Sequence, residues 1–189
     1  MLFRSRHTHA PIDASLDLRA QLPANAVIVA ASVATYQAAL TLCNKPDPHT
    51  VADAKFSLQY CVASALRHGQ VGLAEFTSAA LVDDTVRALL PRIEVIVDSA
   101  REAAYPAYWS AAVSITLADG RILHAAQERP KGDPENPLTA SELEAKFRQL
   151  AAWGGVESQH IERLLRWLRE LETPGLLDPL PLRQVAGGD

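Results

Sequence analysis

Val113-Ser-Ile-Thr-Leu-Ala-Asp-Gly-Arg-Ile-Leu-His124 is the stretch that decides the fold class. Val113, Ile115 and Leu117 alternate with Ser114 and Thr116, the period of a strand with one buried face. Asp119-Gly120 is the preferred two-residue hairpin turn, so a second strand folds back antiparallel. This pairing predicts Leu117 opposite Ile122 and Ile115 opposite His124, with His124 aimed at the packed face.

Working outward, Ile93, Val95 and Val97 suggest a strand before the hairpin, and the valine-rich run Val27 to Val33 suggests another. Val51 to His68 reads as a central helix, apolar on most sides and stopped by Gly69. Asp83 to Leu90 reads as a shorter helix with aspartates in its first turn. Pro11, Ile12, Leu16 and Leu18 mark a short amphipathic helix over residues 10–22. The Lys-Pro-Asp-Pro run at 45–48 is a loop. After the hairpin, Thr139 and Glu142 stand at capping-box spacing, with Leu143, Phe147 and Leu150 marking the buried side of that helix. A last helix runs from about Glu157 to Glu172. Strands and helices do not alternate strictly, which predicts an α+β fold: a small antiparallel sheet packed with several helices. The reading is of one domain over residues 1–172, with a loosely held tail over 173–189.

The 189 residues are 48% hydrophobic and 21% charged, a composition that supports a packed core rather than disorder. A net charge of -4 without a basic stretch leaves no footprint for nucleic acid. The longest apolar run, Ala26 to Ala34, is too short to span a bilayer, and no signal peptide is evident, so a cytoplasmic location is expected. Cys43 and Cys61 form no CxxC pair, and the six histidines show no ligand spacing, so no metal is expected.

Four segments carry a resemblance. They are Thr8-His9-Ala10-Pro11-Ile12-Asp13-Ala14; Ala54 to Ala63 with Gly69; Tyr105-Pro106 with Asp119-Gly120-Arg121; and Lys131-Gly132-Asp133-Pro134-Glu135-Asn136-Pro137, followed by Glu142-Leu143 and Lys146-Phe147. In this order they resemble the C-terminal domain of the MmgE/PrpD family, which includes 2-methylcitrate dehydratases and cis-aconitate decarboxylases. The resemblance implies a cofactor-free lyase or isomerase that dehydrates, decarboxylates or epimerises a small polycarboxylic acid, and a homodimer. It also implies a larger helical N-terminal domain that carries much of the acid/base chemistry and is absent from this sequence. The expectation is therefore half of a split or truncated enzyme, inactive without a separate helical polypeptide. The alternative is a non-catalytic remnant that serves assembly or binding. The lysine that precedes the motif in the family is missing, and Ser5 stands where members carry cysteine or histidine.

Elimination beside a carboxylate needs a base, an acid and cations for the carboxylates. By the resemblance His9 lies near the cleft between the two domains and is the catalytic candidate. His7 joins it by proximity as a substrate-binding residue, and Arg6 suits a substrate carboxylate. On the central helix, Tyr60 is a second catalytic candidate if its hydroxyl reaches the cleft. The alternative is a core ring whose hydroxyl meets a backbone carbonyl. Lys55, read in the first turn against the helix dipole, suggests a specific partner and is the last substrate-binding candidate. Lys131-Gly132-Asp133 reads as a connecting loop.

Overall fold

The computed structural model describes residues 5–23 and 25–171. The tail expected over 173–189 lies outside these residues. In chain order the elements are α1 (His9–Gln21), β1 (Ile28–Thr35), α2 (Gln37–Cys43), α3 (Val51–Lys55), α4 (Leu58–His68), α5 (Ser78–Leu81) and α6 (Asp84–Arg87). They continue with β2 (Ile93–Val97), α7 (Ser99–Ala104), β3 (Ala111–Leu117), β4 (Ile122–Gln127), α8 (Ala140–Trp153) and α9 (Ser158–Glu170). By its internal packing the chain divides into two compact units, Met1–Pro137 and Leu138–Asp189.

The first unit is α+β. Its sheet has the strand order β2-β1-β3-β4. β1, β3 and β4 pair antiparallel as expected, but β2 runs parallel to β1, so the sheet is mixed. The reason is the connection: five helices lie between β1 and β2, a crossover long enough to return the chain in the same direction. Ala111, Val113, Ile115 and Leu117 are buried along β3 while the residues between them are half-exposed. Val113, Ile115 and Leu117 pack with Ile12 and Leu18 of α1 and with Val62 and Leu66 of α4. Burying one such isoleucine or leucine contributes about 1.5–3 kcal/mol.

The hairpin differs from its sequence reading by one residue. Leu117 N–H donates to Arg121 O and Gly120 N–H to Leu117 O, so Ala118, Asp119 and Gly120 form a three-residue loop with Gly120 at φ +86°. The register is Ser114 with His124 and Ile115 with Leu123. A one-residue slip exchanges the two faces of a strand. His124 therefore lies on the exposed face, where its Nδ1 is 2.6 Å from Ser114 Oγ.

The central helix is also two helices. Ser57 interrupts it, accepting the Tyr60 N–H at 3.0 Å and donating to Lys45 O at 2.6 Å. Lys55 thus closes α3 rather than opening a long helix, and its charge agrees with the dipole instead of opposing it. Gly69 caps α4 at φ +69°, as read from the sequence. The Asp83–Leu90 helix is short: Asp83 caps α6, and a 3-10 turn with Pro91 replaces its end.

The second unit is an α8–α9 hairpin. The Thr139–Glu142 capping box is present. Arg148 pairs with Glu162 at 2.6 Å and Arg169 with Glu144 at 2.5 Å, which ties the two helices antiparallel. Ile161 and Leu165 of α9 are buried, but no residue of α8 is, and Leu143 is 57% exposed. The buried side expected for α8 instead lines an open groove of about 690 Å³ with Phe147, Leu150 and Leu168.

Candidate functional site

The N-terminal segment enters α1 through a 3-10 turn, Arg6–Thr8, that follows Ser5. Thr8 Oγ1 donates to Ser5 O at 2.7 Å, and Ser5 N–H donates to Lys55 O at 3.3 Å. These bonds hold Arg6 and His7 against a wall of aromatic rings. His7 stacks on Trp109 with centroids 4.6 Å apart and planes at 20°. Its Nδ1 is 2.8 Å from the hydroxyl of Tyr36, which itself stacks on Tyr105 at 4.3 Å. Strand β1 ends at Thr35 and delivers Tyr36, while Tyr105 and Trp109 come from the segment between α7 and β3.

Arg6 lies over the same indole, its guanidinium carbon 5.4 Å from the Trp109 centroid, and donates to the buried carboxylate of Asp133. Its side chain is 40% exposed. Asp133 offsets part of that positive charge, so the pair contributes orientation more than field. The 130–136 loop is fixed a second time where Lys131 N–H donates to Asp13 Oδ2 at 2.7 Å. The segments around Asp13 and Asp133, 120 residues apart in the chain, thus meet at one place. The loop that the sequence left as a mere connection positions a candidate binding residue.

Burial lowers the pKa of His7 and keeps its ring neutral near neutral pH. Burial raises that of Tyr36, beside Tyr105 and Cys43, so the phenol keeps its proton. The contact fits either tautomer: Nδ1 donates to the Tyr36 hydroxyl, or Tyr36 donates to Nδ1. Cys43 is a buried thiol pushed up by desolvation against a hydrogen bond from Ser5 and the charge of Lys45. It is held as a thiol rather than the nucleophilic thiolate.

The other candidates divide. His9 is buried as the first residue of α1, two positions beyond the stacked His7. Lys55 is brought beside the segment through its backbone bond to Ser5, with a half-buried side chain. Tyr60 lies in the main core against Phe76, and its hydroxyl donates to Glu75 O at 2.6 Å. That is the core arrangement weighed for it from the sequence, away from the aromatic wall. Tyr36, Tyr105, Trp109 and Asp133 went unnoticed as site residues. The order of the separated matching segments could have found Tyr105 and Asp133, which two of those segments contain, but not Tyr36 or Trp109.

An α+β domain whose first helix is entered through a basic, aromatic-walled edge is the class this fold and cluster define. The chain belongs to the MmgE/PrpD family: the family's C-terminal domain matches residues 5–170. It is 26% identical over 141 residues to cis-aconitate decarboxylase from Homo sapiens, covering 72% of this chain and 29% of that protein. It is 30% identical over 128 residues to cis-aconitate decarboxylase-like protein oryM from Aspergillus oryzae, covering 67% and 26%. The chain therefore spans less than a third of the length of the curated relatives it matches. No helix among the described residues is long and apolar enough to cross a membrane.

Proposed function

We propose that this chain supplies one wall of the active site of an MmgE/PrpD-type lyase acting on a small polycarboxylic acid, completed by a helical N-terminal polypeptide. The observation that carries the reading is Arg6, oriented by Asp133 and Trp109 beside the buried His7–Tyr36 pair. A guanidinium held by its face and one edge presents its other donors to a carboxylate. A neutral imidazole beside it suits the transfer of a proton next to that carboxylate. The relatives' names favour decarboxylation of an acid like cis-aconitate within the family's range. His9, at the base of the same segment, and Lys55 are further candidates for contact with the substrate.

A second reading, a binding or assembly domain without chemistry, is favoured by Ser5. Its carbonyl accepts from Thr8 and its N–H donates to Lys55 O, which makes it a structural residue at that position. One experiment separates the two. The chain is mixed with a helical N-terminal domain of the family, and turnover of cis-aconitate and citrate is followed. Turnover that requires both polypeptides and falls in Arg6→Ala supports the lyase. Assembly without turnover, or turnover indifferent to Arg6→Ala, favours the second reading.

A further inference from the structure

At the end of the β3–β4 hairpin away from its turn, a cleft of about 340 Å³ opens beside α7. That is the small end of the range for ligand cavities, about 300–1,000 Å³. Ala111 pairs with Gln127, so Ser110 and Glu128 leave the ladder side by side, and both line the cleft. Ala100, Arg101 and Ala104 of α7 line it too, with Tyr108. None of these residues belongs to the cluster around His7 and Trp109. Arg101 is engaged on one side only. Its backbone N–H and its Nη1 both donate to Asp98 Oδ1, at 2.9 and 3.2 Å. Its Nε is buried and has no hydrogen-bond partner among the described residues. A buried donor left unmatched is unfavourable, and a ligand that accepts from it recovers that loss. Glu128, exposed, brings the opposite charge to the same cleft. Arg129 beside it is committed elsewhere, to Glu135 at 3.2 Å and to the face of Tyr108 at 4.0 Å.

We propose that this cleft binds a small amino acid, its carboxylate on Arg101 and its ammonium on Glu128. Nε and the neighbouring Nη2 form the edge of a guanidinium that takes a carboxylate through two parallel bonds. Asp98 engages Nη1 and so leaves that edge to a ligand. A carboxylic acid without an ammonium would satisfy Arg101 but bring a second anion to Glu128. An amine without a carboxylate would satisfy Glu128 but leave Nε unmatched. A molecule that carries both charges answers both residues. The methyl side chains of Ala100 and Ala104 leave room for its carbon atoms, and Ser110, 6% exposed, adds a hydroxyl that can donate or accept. The site is independent of the chemistry proposed for Arg6 and His7.

An amide NMR titration of the isotope-labelled full chain tests this, with glycine, L-leucine and γ-aminobutyrate each raised to about 20 mM, which covers millimolar binding. The expected result is a saturable shift of the Arg101, Ala104, Ser110 and Glu128 amides with at least one of the three. Which one also tells an α-amino acid from one with separated charges. Propionate and propylamine, which carry one charge each, should bind at least about tenfold more weakly. Arg101→Lys keeps the positive charge but loses the two-donor edge, and should weaken the amino acid at least about fivefold. Glu128→Gln should weaken it as much and leave propionate unweakened. Glu128 is exposed, so this variant keeps the fold, which circular dichroism checks. No saturable shift with any of the three, propionate bound as tightly as the amino acid, or an affinity indifferent to Glu128→Gln overturns the proposal.

Discussion

Removing one oxygen from the wall of the candidate site tests how that site is built. Tyr36 is 1% exposed, and its hydroxyl meets His7 Nδ1 at 2.8 Å. In Tyr36→Phe the ring keeps its 4.3 Å stack on Tyr105 and its edge contact with Trp109. The loss is therefore the hydrogen bond together with a buried ring nitrogen left unmatched, about 1–3 kcal/mol. For a chain of this size each kcal/mol lowers the midpoint by about 2–4 °C, so a fall of about 2–12 °C is expected. Thermal and urea unfolding of Tyr36→Phe, His7→Phe and the double variant complete a cycle. The double variant should be less destabilised than the sum of the singles, by about 1 kcal/mol. Additivity to within about 0.3 kcal/mol would mean that the two groups do not interact, and the reasoning would fail.

Three further outcomes follow from the same geometry. His7 titrates below its ordinary value of 6.5 in the fold, so the unfolded chain binds a proton that the folded chain refuses. Stability should thus fall as pH drops below about 6.5 toward the folded value, and His7→Phe should flatten that slope in urea titrations at pH 5 to 8. Ile115→Ala, in the middle of β3 at 0% exposure, should cost about 2–5 kcal/mol in chemical denaturation, whereas Thr116→Ala on the outer face should cost under about 1 kcal/mol. Ser114→Cys with His124→Cys should oxidise to a disulfide, since the residues face each other, and Ile115→Cys with His124→Cys should not; a mass and thiol count after mild oxidation decides the register.

Much of the candidate site was legible only as separated pieces. Arg6, His7 and His9 stand together in the chain and could be singled out there. Nothing local indicated that Tyr36 would close on His7, or that Asp133 would reach Arg6, because both contacts depend on where β1 and the 130–136 loop end in space. Tyr60 shows the converse. Its position on an apolar helix allowed either a cleft or a core, and the carbonyl of Glu75 accounts for its hydroxyl.

For the fold, the alternation in β3, the glycine after α4, the capping box of α8 and the prolines of the 45–48 loop were readable because each acts within a few residues. Dihedral preferences, side-chain period and cap hydrogen bonds are local quantities, and by themselves they determined the α+β class. The direction of β2, the break at Ser57, the one-residue register of the hairpin and the open side of α8 were decided by tertiary structure. A strand's direction depends on the whole crossover that precedes it. A register differs by a single residue in loop length, which Asp119-Gly120 permits either way. Whether an apolar stripe is buried depends on what packs against it, and that is a property of the assembled chain.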